Sequence, residues 1–181
     1  MDELKIMTLY HATTSSRGIQ IINDGKISCQ AAPVFVWAQP TTPGWIYLSD
    51  HVDSAVHWGN KVSLLNKEED FFYIFKISIP LSACFTDEDD LEYNEDIPPS
   101  VAKNIDVLTC LELCHSCRVN RDLPLGYTVV SYCKLPVDNN KNREHPLACV
   151  VSELKSYISP HDYIRYEKYR GMIIWSPLSN T

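Results

Sequence analysis

Residues 9–27 read LYHATTSSRGIQIINDGKI and join a strand pattern directly to a helix pattern. The apolar run that ends at His11 predicts a first strand, IMTLYH. The segment that follows, SSRGIQIIND, predicts a short helix with Ser15 or Ser16 as its N-cap. Gly25 is expected to end this helix, because glycine adopts the left-handed conformation at little cost. His11 is thereby placed at the tip of a strand, facing a turn.

Residues 43–59, PGWIYLSDHVDSAVHWG, also join a strand pattern to a helix pattern. WIYLS predicts a short buried strand, and DHVDSAVHWG predicts a helix capped by Ser49 or Asp50 and closed by Gly59. The preceding residues, 30–44, are rich in proline and are predicted to form a loop.

The rest of the chain predicts further strands and one longer helix. Apolar residues at helical spacing predict a helix within SVAKNIDVLTCLELCHSC, residues 100–117. Together the patterns predict an α+β fold, a single domain over 1–181 with a mostly antiparallel sheet core and short flanking helices. The other predicted strands are FFYIFKISIP (71–80), GYTVVSYCKL (126–135), LACVVSELKSYI (147–158) and YRGMIIWSP (169–177).

The composition is that of an ordinary globular protein, with 45% hydrophobic and 22% charged residues. No apolar run reaches the roughly 20 residues that cross a bilayer, and the first residues do not resemble a secretory signal. The cysteine count of seven is odd, which favours reduced thiols and a cytoplasmic location over a secreted disulfide framework.

The net charge of −7 is concentrated in DEDDLEYNED, residues 87–96. Such a run usually forms a solvated loop, and the alternative is a segment that binds a partner or an inhibitor. The remainder of the chain is balanced and has no dense basic stripe, so binding to nucleic acid is disfavoured.

Cys110, Cys114 and Cys117 have the C-x3-C-x2-C spacing of some iron–sulfur sites. Their helical spacing instead favours thiols packed in the core, and we expect no metal. A zinc site that adds His115 and Cys133 is the alternative.

The two opening stretches resemble the first two motifs of ADP-ribosyltransferases of the H-Y-E type, the family that includes the poly(ADP-ribose) polymerases and diphtheria toxin. His11-Ala12-Thr13 resembles the H-G-[ST] motif, and the segment from Gly44 to Trp58 resembles the G-x-G-I-Y-F-A-D motif with its following S-A pair. The resemblance covers residues 7–59 and implies an ADP-ribosyltransferase-like split sheet with NAD as co-substrate.

The resemblance implies a catalytic set of His11, Tyr47 and a glutamate on a later strand. Glu153 is the better candidate for that glutamate, and Glu144 is its rival. Cleavage of the nicotinamide–ribose bond develops positive charge on the ribose, which a carboxylate stabilises. His11 would orient the ribose, and Tyr47 would stack on the nicotinamide.

By the same resemblance, five further residues would contact NAD. The backbone after the histidine and a helix serine would hold the carboxamide, and aromatic side chains would form a second wall. In the family, the residue after the histidine is a glycine, and alanine at a positive φ would be strained. The implied NAD-binding residues are Ala12, Thr13, Ser54, His57 and Trp58.

These motifs predict a mono-ADP-ribosyltransferase that modifies a macromolecule, a protein rather than a nucleic acid. Its small size suits a toxin or an effector delivered into a host cell. Three alternatives stay open: an NAD glycohydrolase, an RNA 2′-phosphotransferase-like enzyme, and a module that binds NAD or ADP-ribose without catalysis.

Overall fold

The computed structural model describes residues 5–31, 41–66, 69–156 and 163–179. Within these ranges the chain alternates short helices with strands. The strands are β1 (Ile6–Thr14), β2 (Lys26–Ile27), β3 (Ile46–Ser49), β4 (Phe71–Pro80), β5 (Ser116–Val119), β6 (Leu123–Pro124), β7 (Val129–Pro136) and β8 (Ser176–Pro177). The α-helices are α1 (Ser15–Asp24), α2 (Val52–Leu65), α3 (Glu88–Tyr93), α4 (Pro99–Ala102), α5 (Val107–Cys114), α6 (Ala148–Leu154) and α7 (Tyr163–Gly171).

Six strands form one antiparallel sheet in the order β5-β3-β1-β4-β7-β8, and β2 pairs with β6 in a small second sheet. Buried side chains pack on both faces of the large sheet, with Leu9 and Phe75 in one cluster and Phe72 and Ile74 in the other. The predicted α+β class with a mostly antiparallel core is confirmed. None of the helices in the described ranges has the length and apolar character needed to cross a membrane.

The central strand β1 has very different contacts with its two neighbours. It pairs with β4 along its whole length, from Ile6 opposite Pro80 to Thr14 opposite Phe72. In the described residues, its register with β3 consists of one pair, Tyr10 opposite Ser49. The sheet therefore splits between β1 and β3, and this split positions the functional site.

The first predicted strand and helix are confirmed, with a different cap. Thr14, rather than Ser15 or Ser16, is the N-cap of α1, and its hydroxyl accepts a hydrogen bond from the Arg17 amide. Gly25 follows the helix at φ 69°, the left-handed conformation that the sequence predicts.

The second predicted helix is longer than expected. Its N-cap is His51 rather than Ser49 or Asp50, and α2 continues past Gly59 to Leu65. A Cβ at Gly59 would lie within 3 Å of two ring atoms of Phe72. Glycine is therefore needed for close packing of the helix on the sheet, and its predicted role as the helix end is wrong.

The prediction of a solvated acidic loop over 87–96 is wrong for residues 87–91, whereas residues 94–96 are exposed and lie outside any helix or strand. Asp87 caps α3 by accepting a hydrogen bond from the Asp90 amide, and the two aspartates are 3% and 7% exposed. Leu91 of the same helix is fully buried. The first half of the segment therefore folds onto the domain, and its last residues are exposed.

The long helix predicted over 100–117 is divided. Asp106 starts a new helix, α5, by accepting hydrogen bonds from the amides of Leu108 and Thr109. His115 ends that helix in the left-handed conformation, and the chain turns into β5. Cys117 therefore lies on a strand and not on a helical face with Cys110 and Cys114.

Two strands predicted in the last third of the chain are wrong. Residues 148–154 form the helix α6. Its buried residues are Val150, Val151 and Leu154, and this spacing is that of one apolar helix face. Residues Tyr163–Gly171 form α7, and only Ser176–Pro177 remain as strand β8. The part of the 147–158 prediction after Ser156 lies outside the described residues.

Candidate active site

A cavity of about 470 Å³ opens at the split between β1 and β3. This volume lies within the range of small-molecule and cofactor sites. The walls come from β1, from α1 and the segment after it, from β3 and the turn before it, from one face of α2, and from three residues near α3 and β5. The described lining residues are Tyr10, His11, Ala12, Thr13, Arg17, Gln20, Ile21, Asp24, Lys26, Ile27, Ser28, Gln30, Ala31, Thr41, Thr42, Pro43, Gly44, Trp45, Ile46, Tyr47, Leu48, Ser49, Ala55, Trp58, Lys61, Val62, Leu65, Asp87, Asp90 and Ser116.

His11 bridges the split where the backbones of β1 and β3 separate. Its Nδ1 lies 3.0 Å from the backbone oxygen of Tyr47. Because a carbonyl only accepts, Nδ1 carries the proton and Nε2 is left as an acceptor. Burial lowers the pKa of His11, the Tyr47 carbonyl offsets this in part, and Arg17 lowers the pKa further. The imidazole is therefore neutral at pH 7 and suited to accept a hydrogen bond from a ligand hydroxyl.

The Tyr47 side chain is fixed by a polar network at the cavity wall. Its hydroxyl donates to the carboxylate of Asp89 and accepts from the Thr42 amide at 2.8 Å. Burial, together with the hydrogen bond to Asp89, raises the pKa of Tyr47. The phenol is therefore protonated at all physiological pH values, and its ring is held in one orientation.

Cationic and aromatic side chains line the wall formed by the two helices. The Lys61 ammonium lies 4.4 Å from the centroid of the Trp58 ring, a cation–π geometry. Arg17 of α1 also lines this wall, and its Nη1 donates to Gln20 at 3.2 Å. These two cations and an indole could bind a phosphate and an aromatic base.

Acidic side chains line the wall near β5. The Ser116 hydroxyl donates a hydrogen bond to the Asp90 carboxylate at 2.7 Å, which fixes the position of that carboxylate. Burial raises the pKa of Asp87 to about 7, and the nearby charge of Asp90 raises it as well. Asp87 is therefore partly protonated at neutral pH, beside a carboxylate that the Ser116 hydroxyl holds in position.

Arg118 of β5 holds the acidic helix in place. Its guanidinium is 2.7 Å from Glu88 and 3.5 Å from Asp89, and it stacks 4.3 Å from the centroid of the Trp45 ring. The Arg118 side chain is 7% exposed, Asp89 is 16% exposed and Glu88 is 39% exposed, so the pair with Asp89 is the better shielded from solvent. Arg118 thereby anchors α3 to the sheet, and this position of α3 places Asp87 and Asp90 at the cavity.

The structure brings five of the predicted site residues to one cavity: His11, Tyr47, Ala12, Thr13 and Trp58. Ala12 lies in the middle of β1 opposite Ile74, and its φ is not positive, so the expected strain from replacing glycine does not arise.

Two predicted NAD-binding residues lie elsewhere. Ser54 is not among the described lining residues, and its hydroxyl donates to Ser49, which does line the cavity, at 3.2 Å. His57 faces α6, where its Nδ1 donates to the Lys155 carbonyl at 2.9 Å. These contacts give both residues a packing role behind the cavity wall.

Neither predicted glutamate lies in the described lining of the cavity. Glu153 is on α6, which packs against α2 and β7, and Glu144 lies in the segment between β7 and α6. The prediction that a strand carries Glu153 is wrong. The carboxylates that the structure places at the cavity are Asp24, Asp87 and Asp90.

The cysteines that could have formed a metal site are separated. The Sγ atoms of Cys110 and Cys114 lie 3.5 Å apart, whereas Cys117 interacts with Cys84. Cys133 lies on β7, four strands away from β5 in the sheet. Among the described residues, the group that could hold a metal is Asp50, His51 and His115.

Some lining residues that the sequence interpretation missed had a local signal. Lys61 follows Trp58 by one helical turn, and Arg17 and Gln20 share one face of α1. Asp90 and Ser116 had no such signal, because long-range packing alone brings them together.

Comparisons with known proteins find a distant likeness among solved structures. No protein-family model and no curated protein matches the sequence. Among solved structures, the chain is similar to a double mutant of heat-labile enterotoxin, with a TM-score of 0.44 and 15% identity. The match covers 90% of this chain and 78% of the enterotoxin chain. This similarity assigns no role to any residue.

Proposed function

We propose that this chain is a mono-ADP-ribosyltransferase that binds NAD in the cavity between β1 and β3. It cleaves the nicotinamide–ribose bond and transfers ADP-ribose to a protein. The observation that carries the proposal is the pairing of His11 with Tyr47 across the split of the sheet, at the wall of a cavity large enough for a dinucleotide segment. The net charge of −7 favours a protein acceptor over a nucleic acid.

His11 and Tyr47 are proposed to position the substrate. The unprotonated Nε2 of His11 accepts a hydrogen bond from a ribose hydroxyl, and the Tyr47 ring stacks on the nicotinamide. Both side chains are already held by hydrogen bonds to protein atoms, so little freedom is lost when NAD binds.

Asp90 is proposed as the carboxylate that stabilises the positive charge on the ribose. It is buried at the cavity, and the hydrogen bond from Ser116 fixes its orientation. A preorganised group of this kind contributes about 10²- to 10³-fold to the rate. Glu153 remains the alternative that the sequence motif implies.

The decisive experiment measures nicotinamide release and labelling of lysate proteins from labelled NAD. Asp90→Asn should lower both rates by about 10²- to 10³-fold, whereas Glu153→Gln should leave them close to the wild-type values. If Glu153→Gln abolishes release and Asp90→Asn does not, the assignment of Asp90 is wrong. Retention of NAD binding by Asp90→Asn in calorimetry excludes misfolding as the cause.

A second candidate is a module that binds NAD without cleaving it. It is favoured by the absence of a glutamate from the described cavity lining. Calorimetric binding of NAD with no nicotinamide release by the wild-type protein would establish it. Release without labelling of any protein would instead establish an NAD glycohydrolase.

The cellular setting follows from the thiols. All seven cysteines are free, and four of those that are buried lie in the two main hydrophobic clusters. We infer a reducing compartment, which is the cytoplasm of the producing cell or of a host cell into which an effector is delivered.

A further inference from the structure

Three metal-ligating side chains meet beside the cavity, outside its described lining. Asp50 follows β3, His51 is the N-cap of α2, and His115 lies between α5 and β5. The Asp50 amide donates to the His115 carbonyl at 3.2 Å, which fixes the two backbones side by side. The neighbouring residues Ser49 and Ser116 are paired across β3 and β5.

The distances in this cluster match a tetrahedral metal centre. His115 Nδ1 lies 3.2 Å, and His51 Nε2 3.8 Å, from Oδ1 of Asp50. Bonds of about 2.1 Å in a tetrahedron place neighbouring ligand atoms roughly 3.4 Å apart, between the two observed values. The candidate ligand atoms of all three residues lie within 4.8 Å of one another.

Two further features set the cluster apart from a chance contact. His115 adopts φ 56°, a conformation that glycine or asparagine fills at lower cost at the end of a helix. Oδ1 of Asp50 is buried and faces Nδ1 of His115. A role of the imidazole as a metal ligand explains why a histidine, rather than glycine or asparagine, occupies this position.

We propose that Asp50, His51 and His115 bind a zinc ion. Two imidazoles and one carboxylate form a donor set typical of zinc sites that keep an open position for water. The three side chains are each about one-fifth exposed, while the ligand atoms Oδ1 of Asp50 and Nδ1 of His115 are buried, so the site lies just beneath the surface.

The charges around the cluster also favour a divalent cation. Nearby, Asp53 is 1% exposed, and its carboxylate is bonded by the guanidinium of Arg170. Asp53 neutralises Arg170, so the Asp50 carboxylate adds a net negative charge that attracts the ion. Zinc would then tie the end of β3 to the start of β5, which carries the Ser116 hydroxyl to the cavity.

The experiment measures zinc binding by the full chain after treatment with a chelator, by titration against a competing indicator. The wild type should bind one zinc ion per chain. Loss of a group behind a ligand weakens metal binding by about 10- to 100-fold, so loss of a ligand should cost at least about 100-fold. We expect this loss in His51→Ala and His115→Gly, since glycine accepts the positive φ. His57→Ala, on the same helix, should bind zinc as the wild type does.

Cobalt(II) in place of zinc gives an independent readout. The expected visible absorption is that of a tetrahedral nitrogen and oxygen site, without a sulfur charge-transfer band. A sulfur band, or zinc binding that Cys110→Ser removes and His51→Ala retains, would overturn the proposal. So would a wild type that takes up no zinc. If His115→Gly does not fold, His51→Ala and the cobalt spectrum decide the question, and neither depends on NAD turnover.

Discussion

Replacing Asp87 with asparagine should stabilise the protein in a manner that depends on pH. Asp87 is 3% exposed, and its pKa is raised from 3.8 to about 7 by burial and by the charge of Asp90. Between these two pH values the folded state holds a proton that the unfolded state has released. The stability contributed by this group is therefore complete below pH 3.8 and is lost as the pH rises to about 7.

The size of the effect follows from the shift. Each pKa unit corresponds to about 1.4 kcal/mol, so the full loss is on the order of 4 kcal/mol. The asparagine side chain carries no charge at either pH, and its oxygen can still cap α3. The difference in the free energy of unfolding between Asp87→Asn and the wild type should therefore grow by roughly 3 kcal/mol from pH 5 to pH 8.

Urea unfolding at a series of pH values measures this difference. Asp106→Asn is the matched control, because Asp106 also caps a helix but is exposed, and hydrogen bonds from Thr109 lower its pKa. Its contribution is present above pH 3.8 and lost in acid, so this variant should not gain stability at pH 8. If the difference in the free energy of unfolding between Asp87→Asn and the wild type stays constant with pH, the Asp87 carboxyl does not have a raised pKa.

Three further changes test the packing and the site. A Cβ at Gly18 would lie within 3 Å of three Tyr73 atoms, so Gly18→Ala should lower the free energy of unfolding by about 1–3 kcal/mol. Gly171→Ala, with open space around it, should cost nothing in thermal unfolding; equal stability losses would contradict this packing. Because the pKa of His11 is lowered, nicotinamide release by Asp87→Asn, which lacks the carboxyl group that titrates near pH 7, should decline with a midpoint below pH 6.5; a decline centred at pH 6.5 would mean an exposed imidazole. Arg118→Lys should destabilise α3 by about 1–3 kcal/mol, measured by hydrogen exchange, because lysine cannot reproduce the planar fork and stack; unchanged exchange would rule out this anchoring.

The sequence predicts the β1–α1 and β3–α2 units because their signals are local. An apolar run, a hydroxyl cap and a glycine occur in order within a few residues of His11. Around Tyr47 the strand and the following helix are confirmed, but the predicted cap and helix end are not. Two such units can be recognised separately. The antiparallel pairing of β1 with β3, at Tyr10 and Ser49, then brings the two motifs together.

The later part of the chain is mispredicted because its local preference and its tertiary setting disagree. The β-branched Val150 and Val151 favour a strand, but the space between α2 and β7 is filled by a helix that buries both. The charges of residues 87–90 favour solvent, but Arg118, distant in sequence, offsets them. The sequence alone therefore predicts an acidic residue on a strand at Glu153. In the structure, the carboxylates of Asp87 and Asp90 line the cavity instead.

The buried acids give the cavity a charge polarity that matches the proposed substrate. Asp90 lies at the wall near β5, whereas Arg17 and Lys61 lie on the wall formed by α1 and α2. The cavity-lining part of α2, from Ala55 to Leu65, is about 15 Å long. Its far end is therefore well separated from the start of α2, which lies beside β3. NAD carries a positive nicotinamide ring at one end and a negative diphosphate in the middle. The arrangement therefore favours one orientation, with the nicotinamide ribose beside Asp90 and the diphosphate beside the two cations, and in that orientation the bond to be cleaved lies next to the Asp90 carboxylate.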